Sequence, residues 1–186
     1  TITIAPEAGS ERMKSAVGKR ISAAVLRSTV LTGVRHGIRR FKFYYIIGIP
    51  GEDDSDVLAI ADELASVVEA AKEGARERKW MPMISASVNP YIVKKGNASG
   101  NERFIDLKTW ERRKRLLSNA LRKKGGISLH CNDYHECRLE GLLSFAPRAA
   151  AELVMREGLS RLSLRRIGDR IVSAFPIPGY GEDHGR

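Results

Sequence analysis

The run Phe41-Lys42-Phe43-Tyr44-Tyr45-Ile46-Ile47 passes directly into Gly48-Ile49-Pro50-Gly51-Glu52-Asp53-Asp54. Aromatic and β-branched residues favour a pleated strand. A nearly unbroken apolar run is expected where a strand is buried on both faces, as in a parallel sheet. Gly-x-Pro-Gly supplies the backbone freedom and the fixed φ of a tight turn. Asp53, Asp54 and Ser55 are suited to cap a following helix, where negative charge meets the helix dipole. Strand, turn and helix start therefore follow one another without a spacer. In α/β proteins, ligands bind in the crevice beyond the carboxyl ends of such strands.

The rest of the chain repeats this unit. Thr1 to Ala5 alternate with period two and predict a strand, followed by the turn Pro6-Glu7-Ala8-Gly9 and an N-cap at Ser10. A second helix is expected from Ser22, stopping by Gly33 or Gly37. Behind Asp53, the residues Val57, Ile60, Ala61, Leu64, Val67, Val68 and Ala71 recur at helical spacing. Met83 to Val88 predicts a third strand and Ile127 to Cys131 a fourth. Between them, Asp106 to Lys124 predicts a helix with Leu107, Trp110, Leu117 and Leu121 inward and Arg112 to Arg115 outward. Lys94 to Arg103 is expected to form a long loop. Two helices broken near Pro147 are expected over Tyr134 to Glu157, a short strand over Ile167 to Phe175, and a loose tail from Pro176 to Arg186. Strands alternating with helices imply a parallel sheet with right-handed crossovers. Three or four such units are fewer than a closed eight-fold barrel needs. The expected fold is α/β, a partial (half) TIM-like β/α barrel over residues 1–126, with a C-terminal extension over 127–186.

At 186 residues, 42% apolar and 29% charged, the chain is long enough to bury one substantial core. No run approaches the roughly 20 apolar residues of a membrane helix. No signal peptide is visible, and the expectation is a cytoplasmic protein with no membrane partner. The chain opens on Thr1 in a strand-like segment, so a piece of a longer protein is expected. The two cysteines, Cys131 and Cys137, do not suggest a disulfide in a cytosolic chain. A net charge of +10 points to an anionic partner such as RNA, or to an acidic patch elsewhere in a parent protein. The plainer reading is that Lys and Arg solvate helix faces.

Chemistry is expected just after each strand. Two of these turns place a glycine near a glutamate: Glu7 to Ser10, and Gly48, Ile49, Pro50, Gly51 and Glu52. Glycine lets backbone amides approach a flat ligand closely, and a neighbouring carboxylate suits a ribose diol or an amine. The plainer alternative is that the glycines only make turns and the carboxylates only favour helix N-termini. No Ser/His/Asp arrangement and no Walker phosphate loop occurs, although Gly18-Lys19 is present.

Taken in order, Ile4-Ala5-Pro6-Glu7-Ala8-Gly9-Ser10-Glu11-Arg12 and Tyr44-Tyr45-Ile46-Ile47-Gly48-Ile49-Pro50-Gly51-Glu52 resemble the second half of a radical S-adenosylmethionine (SAM) domain. The resemblance is to iron–sulfur oxidoreductases with APEAGS- and GLPGE-type turns, some fused to cobalamin domains. Asp133-Tyr134-His135 and Leu139-Glu140-Gly141-Leu142-Leu143 are similar to that group's C-terminal region. The resemblance covers roughly residues 1–145. It implies strands four to six of a (β/α)6 partial barrel. It also implies a [4Fe-4S] cluster that reductively cleaves SAM to a 5′-deoxyadenosyl radical. On this likeness Glu7 and Ser10 match a turn contacting the SAM ribose and methionine, and Gly48, Ile49, Pro50, Gly51 and Glu52 match the turn near the adenine. The family's Cys-x3-Cys-x2-Cys loop does not occur here. The cluster ligands are expected upstream, in an N-terminal half that would be the chain's natural partner, and this chain alone is expected to be inactive, with no catalytic residue assigned.

His130-Cys131-Asn132-Asp133-Tyr134-His135-Glu136-Cys137 gathers four possible metal ligands, at spacings that fit zinc sites only loosely. The favoured reading assigns no metal here and treats the thiols as core or interface groups. A second functional class remains open, a non-catalytic basic module contacting RNA through Arg35 to Lys42, Arg76 to Lys79, Arg112 to Arg115 and Arg161 to Arg170. These strings are read as lacking the interleaved aromatics of single-strand binders.

Overall fold

The computed structural model describes residues 1–95, 103–157, 161–175, 177 and 179–180. Most of the expected Lys94 to Arg103 loop and most of the tail after Pro176 lie outside them. The chain forms β1 (Ile2–Glu7), α1 (Glu11–Ala16), α2 (Ala23–Arg35), β2 (Arg40–Ile47), α3 (Asp54–Gly74), β3 (Met83–Pro90), α4 (Leu107–Lys124), β4 (Ile127–Cys131), α5 (Tyr134–Phe145), α6 (Ala150–Glu157) and α7 (Arg161–Ala174). It divides into two compact units. The first holds Thr1–Asn89 with Glu111–Cys131, the second Pro90–Trp110 with the chain from Asn132 onward. β4 pairs with β3 and so lies in the sheet of the first unit.

The first unit is a four-stranded parallel sheet in the order β1-β2-β3-β4. Sequence neighbours are spatial neighbours throughout, so the order does not reverse direction as it does in a doubly wound sheet. The local signals explain the elements. Ser10 and Ser22 accept the N–H groups of Met13 and Val25 and so start α1 and α2. Asp53 and Asp56 form a reciprocal capping box at the start of α3. Phe41, Phe43, Tyr45 and Ile47 are buried on one face of β2. On that face, α2 presses Gly33 against the Phe41 ring and α3 reaches the Tyr45 hydroxyl. Lys42, Tyr44 and Ile46, on the other face, are only half-buried, and the Lys42 ammonium lies 4.7 Å from the Tyr44 ring centre. The expected two-sided burial of β2 is thus corrected: the apolar run reflects one buried face and one amphipathic face.

Inside this unit lies a polar group that periodicity does not reveal. The Lys14 ammonium, 1% exposed, pairs with the Glu63 carboxylate, which also accepts the Tyr45 hydroxyl at 2.8 Å. The network ties α1, α3 and β2 together. Burial pushes the Glu63 carboxyl up against the opposing pull of Lys14 and Tyr45, and burial followed by the Glu63 charge pushes Tyr45 well above its ordinary value.

The second unit packs Val93, Leu139, Leu142, Ala150, Ile167, Ile171, Ile177 and Tyr180 into one core. Residues 161–174 are helical, which corrects the strand expected from Ile167. Leu164, Ile167 and Ile171 stand at helical spacing, and Ile167 and Ile171 are fully buried. Tyr180, expected in a loose tail, is 2% exposed and donates its hydroxyl to the Val93 carbonyl at 2.7 Å. Gly141 is required beside it, since a Cβ there would lie 1.6 Å from the Tyr180 hydroxyl oxygen. No helix among the described residues is long and apolar enough to cross a membrane.

Removing one partner of a buried ion pair strands the other, at a cost of about 3–5 kcal/mol. Lys14→Met is expected to lower the urea unfolding free energy by that order, and Lys14→Met with Glu63→Gln to recover most of the loss. A single-variant loss below about 1 kcal/mol would show that the network contributes little.

Candidate functional site

The strand order places the carboxyl ends of β1 to β4 side by side, so Glu7, Gly48, Asn89 and Cys131 mark one edge of the sheet. The two turns singled out by sequence meet at this edge. Register slips between Ile4 and Glu7, where Pro6 has no N–H to offer the ladder. The bulge ends with Glu7 at φ 68°, a left-handed conformation that a non-glycine residue adopts at a cost of about 1–2 kcal/mol. Such strain clusters at functional sites. Glu7 keeps its carboxylate partly exposed, 3.3 Å from the Lys19 ammonium.

Gly9 is placed for packing. A Cβ on it would lie 2.2 Å from the Ile60 nitrogen, so α3 can approach β1 only over a glycine. Ser10 caps α1 and donates its hydroxyl to Asp56 Oδ1 at 2.6 Å. Arg12 spans to the second turn, donating to the Gly51 carbonyl at 3.0 Å and pairing with Asp56. Asp56 also accepts the Asp53 N–H at 2.9 Å. One buried carboxylate thereby fastens both turns and the start of α3.

In the second turn Gly48 and Gly51 take φ values of 99° and 80°, which side chains disfavour. Ile49 is buried, and its carbonyl accepts the Glu52 N–H at 2.9 Å. Pro50 and Gly51 stand exposed at the tip. The Glu52 side chain turns inward and is 1% exposed. It accepts the Gly48 N–H at 2.6 Å and Arg113 Nη1 at 2.8 Å, while Arg113 Nη2 donates to the Glu52 carbonyl at 2.7 Å. The outward placement expected for Arg113 is corrected. It is 11% exposed, because the buried Glu52 draws it in. Arg112 does lie outside, on Asp54. Burial dominates the Glu52 equilibrium and raises its carboxyl from 4.5 to about 7, against the Gly48 amide and the Arg113 charge.

At the end of β3, Ser87 is buried and the Asn89 Oδ1 atom is buried with no hydrogen-bond partner among the described residues. An acceptor left in that state costs about 1–3 kcal/mol unless something donates to it. Sequence pattern marks the position through Asn89-Pro90 but carries no sign of the missing partner.

The His/Cys stretch is divided between the units. His130 and Cys131 lie on or at the end of β4, His135 and Cys137 in α5. Burial pushes the Cys131 thiol up and the Cys137 thiol to about 12, so neither favours the thiolate a metal requires. Burial lowers the His135 imidazole, whose Nδ1 is buried without a partner. Among the described residues, no three His, Cys, Asp or Glu side chains converge as a metal site.

Comparison with known proteins adds one relative. The chain is 32% identical over 125 residues to an uncharacterized protein of Methanocaldococcus jannaschii. That match covers 67% of this chain and 26% of the relative, so the chain spans about a quarter of the relative's length. No protein-family model and no solved structure matches the chain.

The Glu52 carboxyl binds more protons folded than unfolded between pH 4.5 and about 7. Its raised value therefore contributes stability below pH 4.5 that is lost as pH rises through 7. The urea midpoint is expected to fall across this window, and Glu52→Gln is expected to flatten the fall. Equal slopes in the two proteins would exclude Glu52 as the titrating group.

Proposed function

We propose that this chain is the C-terminal part of a radical SAM domain and contributes a nucleoside-binding edge to a larger enzyme. The observation that carries the reading is the junction of the two turns. Glu7 to Ser10 and Gly48 to Glu52 follow adjacent parallel strands and are fastened together by Ser10, Arg12 and Asp56. Sequentially ordered parallel strands, with α2 and α3 on one face, support the finer expectation of a partial barrel wall, with strands β1 to β3 in the places of the family's strands four to six.

The residues sort by what they can offer a ligand. Ser10, Gly48 and Glu52 spend their polar groups on one another's turns and on α4, and act as supports. Glu7 keeps a carboxylate at the edge for a ribose diol or an amine. Pro50 and Gly51 present exposed backbone and an exposed ring for a flat base, and Ile49 is the buried anchor beneath them. The buried Asn89 Oδ1 suits an incoming donor such as an exocyclic amine or a hydroxyl.

An iron–sulfur cluster does not fit this chain. It needs several thiolates, and the chain has two cysteines, both held protonated by burial. The cluster's ligands, and with them the reaction, belong to the parent protein in this reading.

The test uses the full-length gene product, purified and reconstituted without oxygen. Iron–sulfur absorbance and reductant-dependent release of 5′-deoxyadenosine from SAM are expected. In that protein Glu7→Gln is expected to weaken SAM binding about tenfold or more, a loss of about 1.4 kcal/mol or more. A full-length protein that neither holds a cluster nor releases 5′-deoxyadenosine would end the radical SAM reading.

A further inference from the structure

At the opposite end of the same sheet, the chain enters β2 through Arg39 and Arg40 and enters β3 through Lys79, Trp80 and Met81. With strands of eight residues and about 3.3 Å per residue, this end lies roughly 25 Å from the two turns. Here the Arg39 guanidinium lies 5.1 Å from the Trp80 ring centre and the Arg78 guanidinium 5.9 Å from it. The basic strings Arg35 to Lys42 and Arg76 to Lys79 are therefore brought together round an aromatic ring. Trp80 directly follows Lys79 in sequence, and Arg39 reaches the same ring from the start of β2.

Arg39, Arg40, Arg76, Arg78 and Lys79 are all exposed, and none of them forms an ion pair with a carboxylate among the described residues. Part of the cluster serves the fold. Arg78 donates to the Arg35 carbonyl, at the C-terminus of α2, where a cation also suits the helix dipole. Arg40, Arg76 and Lys79 do no such work. Two guanidinium groups against one ring repel each other, and a bridging anion would convert that repulsion into attraction. Their planar forks match phosphate oxygens. Beside them Met81 and Met83 are 60% and 57% exposed, and Trp80 is half-buried. Charge for phosphates next to polarizable, apolar surface for bases is the pairing that unpaired nucleic acid requires.

We propose that this end of the sheet binds single-stranded nucleic acid, with phosphates on Arg39, Arg40 and Lys79 and bases against Trp80, Met81 and Met83. The site is separate from the edge that carries the two turns, and it stands whether or not that edge binds SAM. A duplex would hide its base faces from Trp80 and leave only charge. A membrane surface would use the same cations and the same methionines, and the experiment separates it.

The test measures anisotropy of a labelled single-stranded oligouridine of about 16 nucleotides with the complete 186-residue chain. Affinity is expected to fall steeply between about 50 and about 200 mM salt. Arg39→Glu with Lys79→Glu is expected to weaken binding tenfold or more and to flatten the salt dependence by about 0.7 in slope for each lost phosphate contact. Both side chains are exposed and neither caps a helix, so circular dichroism should be unchanged and the thermal midpoint should fall only by the loss of the Arg39–Trp80 contact. Arg115→Glu with Lys123→Glu, exposed on α4, should leave affinity within about twofold, a loss no larger than a single weak surface pair. Binding of oligothymidine at similar strength supports readout of backbone and base faces; a preference for RNA supports an added 2′-hydroxyl contact. Equal losses from the two charge-reversal pairs would overturn the proposal in favour of diffuse attraction. So would binding to phosphatidylserine vesicles without oligonucleotide binding.

Discussion

The carboxylate of Asp56 is the point on which the edge of the sheet depends. It lies in the first turn of α3, is 4% exposed, and receives the Ser10 hydroxyl, the Arg12 guanidinium and the Asp53 amide. A buried charge is tolerated only when its acceptor sites are filled. Here the filling comes from two turns and a helix cap. Because the donors come from separate segments, the requirement for their satisfaction becomes a requirement for their arrangement. Gly9 complements this, since the approach of α3 that brings Asp56 to Ser10 is the approach that leaves no room for a Cβ on residue 9.

A second constraint works below the first. Lys14 is four residues from the Ser10 cap and follows the apolar Met13, so its position reads as ordinary helix surface. Its partner, Glu63, stands 49 residues away on α3, and Tyr45 contributes from β2. The gain from burying Lys14 comes only when α1, α3 and β2 are already packed. Such a network therefore adds cooperativity and register rather than a large net stability.

Legibility in the sequence follows this division between local and long-range causes. Ser10, Ser22 and Asp53 are readable as caps, because the group a cap satisfies lies two or three residues away. Ile127 to Cys131 is readable as a strand from composition and bounding glycines. Arg113 is not readable as an inward residue. It sits among Arg112, Lys114 and Arg115, and only the burial of Glu52, 61 residues earlier, separates it from them. The company of Trp80 is hidden in the same way, since Arg39 meets it only after β2 and β3 are aligned. The helix over Arg161–Ala174 is a different case. The spacing of Leu164, Ile167 and Ile171 is visible, and the clustering of Ile171, Val172 and Phe175 competes with it as a short strand pattern.

The seven residues that sequence reasoning gathers at the two turns are unequal once the hydrogen bonds are assigned. Glu52 holds the Gly48 amide and Arg113, so its acidity closes the turn against α4 and is not offered outward. Ser10 is spent on Met13 and Asp56. Ile49 is spent on the core. The groups left facing outward are Glu7, Pro50 and Gly51, and Glu7 alone among them carries charge. It is also the only described non-glycine residue with a positive φ. A strained backbone contributes nothing to stability, and its exposed ion pair with Lys19 contributes little. Substitution of glycine at residue 7 would relieve the strain without disturbing the Asp56 junction. On the proposed reading, the carboxylate held out by a bulge at the end of β1 is the group that a ligand would meet.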